Sequence, residues 1–191
     1  MNKLKNLSVP ILAVSLLAIS FFIDKQVLFL FSNIRNSFFD LIMNLITNFG
    51  SLFFALFLIP TLFSLREKKF NYVIYLWAAF FSSIIVSFLL KLIVLRPRPL
   101  ISSSFLGILN YSFPSMHALA AFAALPILDK EFPKLRVFWI LFAFFAAVSR
   151  LYFSFHYFSD VVAGALIGYG IGLLFINLEQ KHKIIKKVYK K

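Results

Sequence analysis

Six apolar runs, Val9–Ile23, Leu41–Leu65, Tyr72–Leu95, His117–Leu128, Leu135–Phe153 and Tyr157–Leu178, constrain this 191-residue chain more than any other feature. A helix rises about 1.5 Å per residue and the hydrocarbon core of a bilayer is about 30 Å thick. The second, third, fifth and sixth runs are therefore long enough to cross it. The first and fourth are short, and extension through Phe29–Phe31 and through Pro114 would lengthen them. On a water-facing surface such runs are an aggregation hazard; against lipid tails they are ordinary. Composition agrees, since 61% of residues are hydrophobic, only 14% are charged, and 27 are phenylalanine. The chain reads as an all-α polytopic membrane protein, a six-transmembrane-helix bundle forming one domain over residues 1–191. Lys3 and Lys5 precede the first run as in a signal peptide, but Ile19–Ser20–Phe21 is too bulky for a cleavage site, which predicts a retained anchor.

A formal net charge of +13 raises the question of nucleic acid, and the distribution of the charge answers it. The basic residues sit between apolar runs rather than on an aromatic-basic platform, so no nucleic-acid partner is implied. With six crossings, Lys3 and Lys5, then Arg66, Lys68 and Lys69, then Lys130, Lys134 and Arg136, and the basic tail of residues 179–191 all fall on one side. The positive-inside rule makes that side, and both termini, cytoplasmic. Lys91, Arg96, Arg98 and Arg150 fall on the opposite side as exceptions, and charged groups at the ends of membrane helices are functional candidates by default.

Other signals are few. The chain has no cysteine, which excludes disulfides, thiolate catalysis and cysteine metal sites. Oligomeric state leaves no signature. The stretch Leu100–Phe113, with three successive serines and Gly107, reads as an extramembrane loop with a short interfacial helix between Phe105 and Leu109. Gly164, Gly168 and Gly172 recur every four residues in the last run, forming a small-residue face suited to close helix packing.

The exceptional charges share their membrane face with Ser115, His117, His156 and Asp160. Four cations, two imidazoles and one carboxylate suit a dianionic phosphate better than a metal ion. His156 and Asp160 are four residues apart and share a face if helical, so the carboxylate can hold one ring nitrogen and leave the other to attack phosphorus. His117 is the second imidazole, placed to protonate the departing lipid oxygen and then activate water; His182 lies in the opposite basic tail. Taken singly, Lys91 and Arg98 read as snorkelling side chains and Asp160 as a counter-ion to Arg150. Their joint presence on the side that should be poor in positive charge favours a site.

These residues also carry a resemblance. Lys91 through Arg98–Pro99 resembles the K-x6-R-P motif of the type 2 phosphatidic acid phosphatase superfamily, Pro114–Ser115–Met116–His117 resembles its P-S-G-H motif, and Ser149–Arg150 through His156 to Asp160 resembles S-R-x5-H-x3-D. The order matches, and the six-helix layout resembles the membrane branch of that family over nearly the whole chain. The resemblance implies that Lys91, Arg98 and Arg150 hold the phosphate and that Ser115 hydrogen-bonds it. It further implies His117 as general acid, His156 as nucleophile and Asp160 as its orienter. Arg96 falls outside the fixed positions and is left as a contact to a second phosphate or a headgroup. Met116 replaces the usual glycine, which predicts a helix-entry conformation there, with Pro114 in the first turn.

The implied activity is metal-independent and cofactor-free hydrolysis of a phosphate monoester or diphosphate on a membrane lipid, through a phosphohistidine. Undecaprenyl diphosphate, lipid A 1-phosphate, phosphatidylglycerol phosphate and phosphatidic acid are the substrates the family suggests. The partners are that lipid and the bilayer, with the protein in the cytoplasmic (inner) membrane and its site facing the periplasm or exterior. Phosphotransfer to an alcohol would use the same residues, and lipid binding without turnover is the alternative from another class. A transporter reading lacks mid-span charges and broken-helix pairs.

Overall fold

The computed structural model describes residues 2–100 and 107–188, and among these it is helical with no β-strand. The helices are α1 (Asn2–Phe22), α2 (Asp24–Asn33), α3 (Ser37–Thr47), α4 (Phe49–Arg66), α5 (Phe70–Val94), α6 (Met116–Glu131), α7 (Arg136–Tyr152) and α8 (Phe158–Val188). Four spans are long and apolar enough to cross a bilayer: α4, α5, Pro133–Tyr152 and Phe158–Lys181. The bent pair α1 and α2 makes a fifth if taken as one span. The protein is integral to a membrane.

Two apolar runs are divided where their hydropathy gave no warning. The first run does not extend straight through Phe29–Phe31, because the chain turns by 64° between Phe22 and Asp24. The run Leu41–Leu65 breaks at Asn48, whose extended backbone ends α3 and whose side-chain oxygen accepts the Gly50 N–H at 2.8 Å to start α4. Within α4, Phe54–Leu58 forms a π-helical turn in which Ile59 N–H reaches back to Phe54 O. This widening lies just before Pro60, whose ring and missing N–H would disrupt a regular α-helical turn.

α6 is only 16 residues long and is wrapped by protein along most of its length. Ala118, Leu119, Ala120, Ala121, Ala123 and Ala124 are all fully buried. The glycine face of α8 lies against it, as the spacing of the glycines predicts. A Cβ on Gly164 would fall 2.6 Å from Ser115 O, one on Gly168 2.2 Å from Leu119 O, and one on Gly172 2.5 Å from Ala123 O. Only glycine permits that approach, and it is this contact that brings the start of α6 beside the start of α8. On α5 the inner face carries buried Ser83, Ser87 and Lys91, while Phe81, Ile85, Leu89 and Ile93 remain exposed to lipid.

The charges divide between the two ends of the bundle. At one end Lys69 pairs with Glu67 and Glu131, and Lys130 pairs with Glu179. The motif residues gather at the other. The expected interfacial helix at 105–109 falls partly outside the described residues; its described part belongs to a 3-10 turn, Gly107–Asn110.

Candidate active site

Three chain reversals build the site. α5 ends at Leu95, which takes a left-handed φ of 50° and donates its N–H to Lys91 O. Pro97 and Pro99 follow and keep the helix from continuing. The returning chain is held by Ser112, whose N–H donates to Arg96 O at 2.7 Å. Ser115 is then the N-cap of α6 with extended ψ, so Met116 is the first helical residue. Met116 is not among the positive-φ residues, and helix entry accommodates a side chain at the position where the motif has glycine. Pro114 lies one residue before the cap rather than in the first turn, so it does not lengthen the helix. Finally, the turn after Tyr152 carries His156 into α8, where Asp160 sits in the first turn.

These reversals converge. Ser115 N–H donates to Asp160 O at 3.0 Å, locking the entry of α6 to that of α8. Phe155 N–H donates to Arg150 O at 3.0 Å, and Arg98 Nη1 donates to Phe155 O at 3.3 Å. Lys91 is 1% exposed and donates from Nζ to Tyr111 O, so it does not snorkel. It lies within electrostatic reach of Arg98, Arg150 and Asp160. His117 is likewise within reach of Arg150, His156 and Arg98. The two imidazoles therefore face one cationic pocket, and they do not point to opposite ends.

Several polar atoms in this pocket are buried without a hydrogen-bond partner in the protein: Ser115 Oγ, His117 Nε2, Arg150 Nε and His156 Nδ1. An unsatisfied buried donor or acceptor costs about 1–3 kcal/mol, and more when charged, so clustering such atoms is a feature of sites rather than cores. Phosphate oxygens would satisfy the Ser115 hydroxyl, the His117 imidazole and the Arg150 guanidinium together.

His156 and Asp160 meet differently from the expected shared helical face. His156 precedes α8, and its Nδ1 lies 3.6 Å from Asp160 Oδ2, a separation longer than a hydrogen bond. The same Oδ2 accepts the Tyr157 N–H at 2.8 Å, which fixes the carboxylate across the helix entry. Burial is the largest influence on His156, followed by Arg150, Arg98 and Lys91. Together they hold it well below the ordinary imidazole range, against a smaller opposing contact with the Ser112 backbone. Both influences, burial and the cations, favour the uncharged ring. Arg98 is lowered by burial, partly offset by Asp160.

One expectation changes. Arg96, expected to contact a headgroup, is instead committed to carboxylates, donating to Asp24 Oδ2 at 2.7 Å and Asp160 Oδ1 at 2.8 Å. Asp160 is thus the partner of Arg96, not a counter-ion of Arg150. Arg150 turns to Thr47, donating from Nη1 to Thr47 Oγ1 at 2.7 Å, with Phe155 stacked 4.5 Å from its guanidinium carbon. The Thr47 backbone also accepts from His117. Thr47 is a site residue that sequence reasoning missed; its only signal was a Thr-Asn pair interrupting an apolar run. Among the described residues no group of three or more His, Asp or Glu is arranged to hold a metal ion.

Known proteins are similar to this chain in sequence and fold. The family model described as the PAP2 superfamily matches residues 71–184, more than half of the chain. The chain is 26% identical over 149 residues to undecaprenyl-diphosphatase BcrC of Bacillus subtilis, covering 75% of this chain and 76% of the relative. It is 40% identical over 74 residues to a lipid A 4'-phosphatase of Bacteroides thetaiotaomicron, covering 38% of this chain and 33% of that protein. Among solved structures, Aquifex aeolicus LpxE superposes with a TM-score of 0.67 at 26% identity, covering 81% of this chain and 95% of that one. A transmembrane PAP2-type phosphatidylglycerolphosphate phosphatase from Bacillus subtilis shares the fold, with a TM-score of 0.68 at 23% identity, covering 90% of this chain and 96% of that one. With its three motifs folded to one end of a membrane bundle and the family model spanning most of α5 to α8, the chain belongs to the PAP2 superfamily and is a membrane phosphatase of that family.

Proposed function

We propose that this protein hydrolyses a phosphate monoester or diphosphate on a membrane lipid, with His156 as nucleophile and no metal. The observation that carries the reading is the group of buried Ser115 Oγ, His117 Nε2 and Arg150 Nε, each without a protein partner, around a neutral His156. Lys91, Arg98 and Arg150 hold the phosphoryl oxygens with Ser115. Asp160 holds the Nδ1 side of His156, which leaves Nε2 to attack phosphorus. The bond from phosphorus to the lipid oxygen breaks as the N–P bond forms, and His117 donates a proton to that oxygen. His117 then takes a proton from water, whose oxygen attacks the phosphohistidine and releases orthophosphate. Positive charge spread around the pocket stabilises the negative charge on the equatorial oxygens in both steps.

The bilayer supplies the substrate. In this reading α1, α4, α5, α6, α7 and α8 each cross the bilayer, and the positive-inside rule puts both termini and the Lys68–Lys69, Lys130 and residue 179–191 basic stretches in the cytoplasm. The site then opens at the periplasmic or exterior face of the cytoplasmic membrane. The relative matched over three quarters of this chain is named for undecaprenyl diphosphate, which makes that lipid the first to test; lipid A phosphate, phosphatidylglycerol phosphate and phosphatidic acid follow. The purified protein, given each lipid in mixed micelles at matched surface concentration, is expected to release inorganic phosphate at the same rate with and without chelator. No release from any lipid phosphate, or release abolished by chelator, contradicts the proposal.

A further inference from the structure

The motifs do not explain why a buried carboxylate, Asp24, and a half-buried guanidinium, Arg96, meet behind the site. Asp24, the first residue of α2, is 4% exposed. Its Oδ1 accepts the Ser159 N–H at 2.8 Å, and its Oδ2 accepts the Ser159 hydroxyl at 2.7 Å and Arg96 Nη2 at 2.7 Å. Arg96 Nη1 in turn donates to Ser159 Oγ at 2.7 Å and to Asp160 Oδ1 at 2.8 Å. The guanidinium carbon lies 3.9 Å from the centre of the Tyr157 ring and 5.3 Å from that of Phe21, so its plane is pinned between two aromatic side chains.

The division of donors is what matters. A guanidinium facing a single carboxylate normally engages both of its oxygens. Here Asp24 takes one Arg96 nitrogen, so Asp160 receives only the other, on Oδ1. Asp160 Oδ2 is left for the Tyr157 N–H and for the Nδ1 side of His156. Because Asp24 lies just past the 64° bend between α1 and α2, the amino-terminal helices are coupled through this network to the carboxylate beside the nucleophile.

We propose that Asp24 and Arg96 are positioning residues of the phosphate site: Asp24 divides the Arg96 guanidinium between two carboxylates, so that one oxygen of Asp160 remains to orient His156. The inference rests on the proposed role of His156 as nucleophile. Neither residue touches substrate; both act through Asp160. Without Asp24, Arg96 turns both nitrogens onto Asp160 and draws Oδ2 from the imidazole. Without Arg96, Asp160 is a buried carboxylate whose charge falls more fully on His156.

The test uses the full-length protein in detergent, with Asp24→Asn, Arg96→Lys and Arg96→Gln compared with wild type. The readouts are lipid phosphate release across pH, melting temperature, and NMR titration of the histidine rings. The remaining groups facing His156, namely Lys91 of α5, Arg98, His117 of α6, Arg150 of α7 and Asp160 of α8, are the same in all of these proteins. Asp24→Asn is expected to lower kcat roughly tenfold with KM within about twofold, as loss of a group orienting a functional histidine does elsewhere. It should also move the acid limb of kcat/KM to lower pH, because a negative charge that favoured the imidazolium is gone. Arg96→Gln should move that limb to higher pH. Arg96→Lys should leave it near the wild-type position, because the charge is kept while the fork is lost.

Opposite shifts in the two charge-removing variants are a signature that loss of folded protein does not produce. Unchanged kcat and pH limb in Asp24→Asn overturn the proposal, as do rate losses that follow melting temperature with the limb fixed. If wild type releases no phosphate, the proposed function fails and the NMR titration decides the positioning role alone. His156 shifting in opposite directions then supports the role, and no shift overturns it.

Discussion

Replacing Gly168 by alanine tests whether the contact between α6 and α8 builds the site. A Cβ at this position falls 2.2 Å from Leu119 O, 3.0 Å from Leu119 C and 3.1 Å from Ala123 N. Ordinary contact of carbon with backbone atoms is about 3.5 Å, so the helices must separate by roughly 1 Å, and the obstacle is backbone that has no rotamer to change. Overpacking of this kind costs about 1–3 kcal/mol, a loss of roughly 2–10 °C in melting temperature for a chain of this length. The displacement also moves Ser115 and His117 relative to Asp160, and a misplacement of about 1 Å in a catalytic array costs on the order of 100-fold in rate. Gly170→Ala is the internal control, because it lies on the same helix with nothing within 4 Å of its Cβ position. It should leave activity unchanged and stability equal or slightly raised, by up to about 1 kcal/mol. Thermal unfolding in detergent and phosphate release measure the two effects. A Gly168→Ala protein that melts and turns over like wild type refutes the reasoning.

Other predictions concern the pocket itself. Thr47→Val removes the hydroxyl that accepts from Arg150 Nη1, a bond to a charged donor worth about 1.5–3 kcal/mol, so kcat/KM should fall at least about tenfold in steady-state assays. A rate within twofold of wild type would show that Arg150 needs no such brace. The acid limb of kcat/KM in the free enzyme should lie below the usual imidazole value of about 6.5, because His156 is held low and loses activity only when protonated. A limb at or above that value contradicts the assignment. His117→Ala and His156→Ala should each abolish turnover while size-exclusion profiles and melting remain close to wild type; wild-type rates in both would overturn the roles.

The sequence announced the site more clearly than the scaffold. Lys91, Arg98, Ser115, His117, Arg150, His156 and Asp160 stood out as candidates because their types and spacings suit phosphate chemistry, and the chain reversals bring them to one end. The glycine face of α8 was legible for a similar reason, since a four-residue period of small residues has one simple use in a membrane helix. Hydropathy, by contrast, says where lipid is tolerated and not where a helix stops. It missed the break at Asn48, which a side-chain cap creates inside an apolar run, and the bend after Phe22. It also left Asp24 and Arg96 apart, because a pairing across 72 positions of sequence has no local signal. Thr47 was hidden in the same way, as a residue that matters only through Arg150 and His117.

The most direct measurement is rapid-quench trapping of the protein during turnover of a radiolabelled lipid phosphate, followed by mapping of the label. The account predicts an acid-labile, alkali-stable phosphoryl group on His156, absent from His156→Ala and accumulating in His117→Ala supplied with a substrate whose leaving group needs no proton. Label on another residue, or turnover with no label on the protein at any quench time in either background, contradicts it.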